Sequence, residues 1–302
     1  MDLFIQQMLG GIATGAIYAC LALAVVMIYQ AIDHFNFAQG EMAMFSTFIA
    51  YELIVNYGMP YWIGFFLCIA ISFAGGAVVE RVVFAPLKNA PVLSHIIVFI
   101  ALFSIFNSVA GSIWEFTIKE FPTPFPDGKL FEGLPIGNHQ IGMVAVTLIM
   151  LGAIYLFFRF TPIGLAMRAA AAAPESARLV GINVGMMLAL GWGLAAAIGA
   201  VAGMMIAPVV FLEPNMMVGI LLYGFAGAVV GGLTSPAGAV VGGFLVGVIE
   251  NMVGTYADLL LGFVGLDLGI SNVKLTVALS LIVLVLMFRP SGLLGRVVVQ
   301  RV

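Results

Sequence analysis

The chain has 302 residues, of which 63% are hydrophobic and 8% charged, with a mean hydropathy of +1.18 and a formal net charge of −3. A soluble domain is nearer about half apolar and a quarter charged, so a soluble enzyme is excluded, and so is disorder, which needs low hydrophobicity and high charge. The slight negative charge gives no basic field for nucleic acid. What remains is a polytopic protein of the lipid bilayer. Long apolar runs between short polar interruptions select an all-α fold over a barrel, whose strands alternate.

In chain order, spans are expected near Leu3–Tyr29, Met42–Asn56, Tyr61–Val79, Pro91–Ile113, Ile141–Phe158, Val184–Val210, Met217–Gly232, Ala237–Thr255 and Val273–Phe288. That makes nine transmembrane helices, within a bracket of about eight to ten, since several runs are short of the ~20 residues a span needs. Asp2 is the only charge before the first run, which therefore lacks the basic start of a cleavable signal and is expected to be retained.

Lysine and arginine fix the expected orientation. Arg81 and Lys88 share one loop, Arg159, Arg168 and Arg178 another, and Arg289, Arg296 and Arg301 the tail. With nine spans all three fall on one side, the cytoplasmic one. The other side collects Asp2, Glu115, Glu120, Asp127, Glu132, Glu213, Asp258 and Asp267, against Lys119, Lys129 and Lys274. The N-terminus is then periplasmic and the C-terminus cytoplasmic. The Pro-rich loop 112–140 is external, either an irregular cap or a docking surface.

Asn36, Phe37, Gln39 and Gly40 precede Glu41 and are poor material for a span interior. They suggest a broken or re-entrant helix, allowed only where it lines a cavity or is buried in protein. Glu41 is then either a pathway or gate element near the cytoplasmic side, or an interfacial acid favoured by a helix N-terminus. Glu52, about three helical turns later, shares its face if the helix is continuous and is expected nearer the outer surface. Cys20 and Cys68 lie in apolar runs and read as core residues. His34, His95 and His139 are scattered, without metal-ligand spacing.

The internal loop 159–183 reads RFTPIGLAMRAAAAAPESARLVGIN. Its alanine-rich run Leu165–Ala173 favours a helix. Pro174 ends it and can open a second, Pro174–Leu179, which Gly181 stops. Two short helices at the surface, carrying Arg168 and Arg178, form either a protrusion that enters a partner's groove or a plain interfacial helix.

Small residues recur at four-residue spacing: Gly11/Gly15, Gly199/Gly203, Gly227/Gly231, Gly238/Gly242 and Gly243/Gly247. This spacing lets membrane helices approach closely. Thr234-Ser235-Pro236 interrupts the segment Gly224–Gly247, and paired interruptions in two halves point to a pathway, with Gly231, Gly232, Thr234, Ser235, Pro236 and Gly238 as its expected residues here. An inverted repeat is therefore expected, about 1–158 against 184–288, flanking the 159–183 loop and followed by the tail 289–302, all within one transmembrane domain. Glu250 and Asn251, late in an apolar span, read first as an interhelical bonding pair.

Four stretches in register carry a resemblance. Gly164, Arg168, Ala169, Glu175, Ala177, Arg178 and Gly181-Ile182-Asn183 resemble the coupling loop of ABC importer permeases of the branched-chain amino acid type. Asn36–Glu41 is similar to that family's N-F-A-H-G-E, with Gln39 for the histidine. Gly231–Ala239 is similar to its G-G-x-G-S-x-x-G-A turn, with Thr234 for the third glycine, and Arg289–Gly295 to its closing R-P-x-G-L-x-G. The resemblance implies a permease subunit in the bacterial inner membrane. Its expected partners are a homologous second permease, two ATPase subunits that dock on residues 164–182, and a periplasmic substrate-binding protein. The resemblance also implies leucine, isoleucine or valine as cargo; related permeases carry urea, short amides or other hydrophobic amino acids. The chain has no G-x-x-x-x-G-K-[ST] loop, so ATP is expected to be used by partners, with no cofactor or metal bound here and no catalysis. The rivals are an ion-coupled secondary transporter relying on Glu41 and Glu250, and a scaffold subunit of a membrane enzyme.

Overall fold

In the computed structural model, described for residues 2–32, 34–88, 90–126, 128, 136–262 and 273–295, the chain is all-α. Its helices are α1 (Asp2–Ile32), α2 (Gln39–Tyr51), α3 (Tyr61–Val79), α4 (Val92–Trp114), α5 (Asn138–Phe160), α6 (Pro162–Ala172), α7 (Pro174–Leu179), α8 (Val184–Val210), α9 (Met216–Gly231), α10 (Pro236–Gly262) and α11 (Val273–Phe288). The π-helical turns Glu52–Asn56 and Glu80–Phe84 extend α2 and α3. Each of the nine expected apolar stretches is helical. Among the described residues, six helices are long and apolar enough to cross a membrane; α9 and most of α11 are shorter apolar helices. The chain is a multi-pass membrane protein. Asp127, Lys129, Glu132, Asp267, Arg296 and Arg301 lie outside the described residues.

The chain divides into two compact units. One holds Met27–Pro124 and Thr147–Val218. Its centre is α2, which packs against α3, α4 and α8 and buries ten of its thirteen residues. A polar helix start is tolerable only when enclosed in this way. Small residues set the spacing. A Cβ on Gly76 of α3 would lie 2.6 Å from the Trp192 carbonyl oxygen of α8, and one on Gly199 of α8 would lie 2.9 Å from Gln39 Nε2. Phe84 and Phe99 stack on the fully buried Trp192. After α4 the chain turns at Glu115, at φ 65°, and an isolated antiparallel bridge pairs Lys119 with Leu212.

The other unit holds Met1–Val26, Phe125–Val146 and Gly219–Val302. Here the expected glycine spacing forms two seams. Gly11 and Gly15 of α1 meet Val248, Phe244 and Gly247 of α10, while Gly227 and Gly231 of α9 meet Gly243, Gly242 and Gly238 of α10. Tyr18 donates to Glu250 (2.8 Å) and Asn251 to Thr14 (2.9 Å), both between α1 and α10. The acid–amide pair thus bonds across helices, as its position suggests.

Candidate functional site

The segment between α1 and α2 is held open by its own side chains. Asn36 accepts from the Ala38 amide (3.0 Å) and donates through Nδ2 to Gln39 Oε1 (3.3 Å). Gln39 in turn donates through Nε2 to the Ala195 carbonyl of α8 (2.9 Å). Asn36 and Gln39 are fully buried, and Phe37 is exposed. Gln39 therefore uses one donor and one acceptor, the pair a neutral imidazole also offers. That explains why glutamine can stand where the resembled motif has histidine.

Glu41 lies in the first turn of α2, 1% exposed. Its Oε2 accepts from Asn107 Nδ2 of α4 (3.3 Å), and its Oε1 has no partner. Asn107 Nδ2 also faces the Pro214 carbonyl (3.0 Å) and Asn215 Oδ1 (3.1 Å), in the link from α8 to α9. Gln39 meets α8 eleven residues after its first residue, about 16 Å along the helix. Through Asn107, Glu41 is linked to the connection at the far end of α8. Glu52 shares the Glu41 face, as expected from the spacing. It accepts from Trp114 at the end of α4 and from Asn56 (2.8 Å).

The 159–183 stretch forms the two expected short helices, with an earlier start. Helix α5 continues to Phe160, and α6 begins at Pro162 rather than Leu165. Thr161 is the reason: its Oγ1 accepts from the Gly164 amide (3.0 Å), and Pro162 occupies the first helical position. Gly164 is packed against the Phe157 and Phe158 backbone, closer than any Cβ permits. Gly181, at φ 86°, stops the segment after α7. Asn183 caps α8 by accepting from the Met186 amide (3.0 Å). Ala170, Ala177 and Val184 form a small core under the two helices, with Ile182, Met187 and Leu188 against it. Arg168 is exposed and Ala169 half-buried. Glu175 and Arg178 form an ion pair at 2.8 Å. Leu179 and Val180 are 89% and 76% exposed, so the protrusion has an apolar tip with charges beside it.

In the other unit, Ser235 accepts from the Gly238 amide (3.0 Å) and starts α10, with Pro236 first in the helix. Gly231 and Gly238 are in backbone contact, and Gly232 turns the chain at φ 111°. The tail returns to this turn: Leu293 and Leu294 donate their amides to the Val230 and Gly231 carbonyls (2.8 and 3.0 Å). Gly292, at φ 74°, sits against the Gly232 backbone. Two motifs far apart in sequence thus form one knot that includes Thr234.

Sequence reasoning missed several partners. Asn107 is an amide inside an apolar run, which is itself a signal. Tyr18 and Lys274 flank Glu250, the lysine at 3.9 Å. His34 and His95, read as scattered, stack with centroids 5.1 Å apart, because α4 begins beside the α1–α2 link. Among the described residues, no group of three metal-ligating side chains occurs.

A layer of apolar helices with a broken helix at its centre and a capped two-helix protrusion defines a membrane permease subunit. Residues 7–288 match the family described as the branched-chain amino acid transport system permease component, and the chain belongs to that family. It is similar to the high-affinity branched-chain amino acid transport system permease protein BraD of Pseudomonas aeruginosa, 31% identical over 99% of this chain and 98% of that protein. LivH of Escherichia coli K12, of the same description, is 30% identical over the same shares. A probable branched-chain amino acid transport permease protein LivH of Methanocaldococcus jannaschii is 28% identical over 95% of this chain and 91% of its own length.

Proposed function

We propose that the chain is the translocation subunit of an ATP-driven importer that carries leucine, isoleucine or valine from periplasm to cytoplasm across the bacterial inner membrane. It does no catalysis and binds no cofactor. A second, homologous permease completes the pathway, two ATPase subunits hydrolyse ATP, and a periplasmic binding protein delivers the cargo. The arginine-bearing loops and the C-terminal tail face the cytoplasm, and the N-terminus faces the periplasm.

The observation that carries this reading is the mechanical continuity of the 161–183 protrusion with α8. The two short helices are capped at both ends and share a core with the start of α8. They therefore move with α8 as one body. Helix α8 holds Gln39 through Ala195 and packs along α2 and α3. A partner that seats on Leu179 and Val180 and shifts when it binds ATP pulls on α8, and α8 pulls on the broken start of α2. Access to the pathway is then switched at Asn36, Phe37, Gln39, Gly40 and Glu41. On the other unit, the knot of Gly231, Gly232, Thr234, Ser235, Pro236 and Gly238 is the counterpart expected of an inverted repeat. This is alternating access driven from outside the chain.

The test is initial-rate uptake of labelled leucine at low concentration, in cells with and without the gene and lacking other leucine carriers. Loss of uptake, restored by complementation, supports the reading, and competition by isoleucine, valine and urea defines the range. Unchanged uptake refutes the amino acid assignment. Failure of ATPase subunits to copurify with the chain refutes the coupling role.

A further inference from the structure

We infer that the cluster of Glu41, Asn107, Pro214 and Asn215 receives the ammonium group of the transported amino acid. The inference rests on the amino acid import reading and names the group by which the pathway engages its cargo.

The argument begins with a count of hydrogens. One amide group, Asn107 Nδ2, carries two N–H bonds. It is faced by three acceptors: Glu41 Oε2 at 3.3 Å, the Pro214 carbonyl at 3.0 Å and Asn215 Oδ1 at 3.1 Å. A fourth acceptor, Glu41 Oε1, is buried and has no partner. Even with the two N–H bonds of Asn215 added, Glu41 Oε1 is left without a donor. Among the described residues, the ion pairs are Arg178–Glu175 and Lys274–Glu250, and neither reaches Glu41. A carboxylate enclosed in protein without a cation is costly. A primary ammonium brings three N–H donors and the missing positive charge.

The position suits a passing ligand. Asn215 is exposed, Asn107 half-buried and Glu41 fully buried. The acceptors thus form a stair from the surface to the broken start of α2. One turn along α2, Phe45 lies with Phe106 and Trp114 in an aromatic row, centroids 5.4 Å apart in both pairs. Ammonium at the stair and an apolar side chain along this row describe a hydrophobic amino acid. A free carboxylate brings no donor, and an uncharged amide such as urea brings N–H donors without the positive charge.

Replacement of Glu41 separates charge from structure. The substitution Glu41→Gln keeps an oxygen for the Asn107 bond and replaces the other, with its charge, by an uncharged N–H2 group. In the complete complex, reconstituted in vesicles with its binding protein, E41Q is expected to lower the maximal rate of leucine uptake about tenfold. The KM, set by delivery from the binding protein, stays unchanged, and Glu41→Asp recovers part of the rate. E41Q uptake equal to wild type overturns the proposal, because the hydrogen bond to Asn107 alone would then account for the residue. Asn215→Lys is the second variant. Its position is exposed, so folding tolerates it, and its own ammonium competes for the acceptors. Normal uptake in N215K also overturns the proposal. Wild-type uptake that vanishes in choline buffer and returns with sodium or potassium assigns the cluster to an inorganic ion and overturns it. A wild-type complex that assembles but moves no amino acid removes the import reading, and this proposal with it.

Discussion

Two adjacent glycines on α3 are expected to respond oppositely to the same substitution. A Cβ on Gly76 would lie 2.6 Å from the Trp192 carbonyl oxygen and 2.7 Å from Ala196 Cβ; a Cβ on Gly75 would meet nothing within 4 Å. The obstacle at Gly76 is helical backbone, which cannot rotate away. Ordinary contact begins at 3.4 Å, so α3 and α8 must part by about 0.8 Å along the largest helix contact in their unit. Overpacking of this kind costs about 1–3 kcal/mol, partly offset by the gain of up to about 1 kcal/mol when alanine replaces glycine in a helix. Gly76→Ala should therefore lose about 1–2 kcal/mol, and Gly75→Ala should gain about 0.5–1 kcal/mol. At about 2–4 °C per kcal/mol, G76A melts a few degrees below wild type and G75A a degree or more above it. The chain supplies its own probe, since Cys20 and Cys68 are in no disulfide and are fully buried. A thiol-reactive dye added to the detergent-solubilised complex reports their exposure on heating. Shifts of the same sign and size for both variants would refute the close-packing argument.

Other outcomes follow from the caps, charges and turns. Arg168→Glu reverses an exposed charge on α6; it should leave membrane insertion intact while reducing copurification of the ATPase subunits. Thr161→Ala removes the acceptor for the Gly164 amide, costing about 1 kcal/mol locally. Faster amide exchange in α6, with α8 unchanged, is the expected signature. Gly292→Ala places a Cβ against the Gly232 backbone at a positive φ, and the tail should become cleavable by added protease in inside-out vesicles.

Much of the fold was readable because it depends on local chemistry and simple periodicity. The apolar runs became helices, and the alanine-rich loop became α6 and α7, with Pro174 and Gly181 where turn chemistry demands them. The four-residue glycine spacing became the seams between α1, α9 and α10. What escaped the sequence depends on which distant segments meet. The partners of the break, Ala195 for Gln39 and Asn107 for Glu41, lie 156 and 66 residues away, and no local pattern names them. Nothing in the run around Tyr18 announces Glu250, and the histidines meet only because α4 starts beside the α1–α2 link. The start of α6 was misplaced for a local reason, since Thr161 both bonds Phe157 and caps the next helix. Asn107 was the one legible signal passed over, an amide in the middle of an apolar helix.

The return of the tail to the α9–α10 turn has a consequence for how the protein is made. Val230 and Gly231, the last carbonyls of α9, bond to the amides of Leu293 and Leu294, which follow α11 in the chain. During synthesis the hairpin is built early and fastened late. It stays unlatched until α11 and the residues behind it have left the ribosome. A nascent chain that stalls in α11 carries all the preceding apolar segments yet leaves two carbonyls and a glycine turn bare. The closed turn between α9 and α10 is thereby made dependent on a stretch that follows α11, so a hairpin built from α9 and α10 alone lacks its latch.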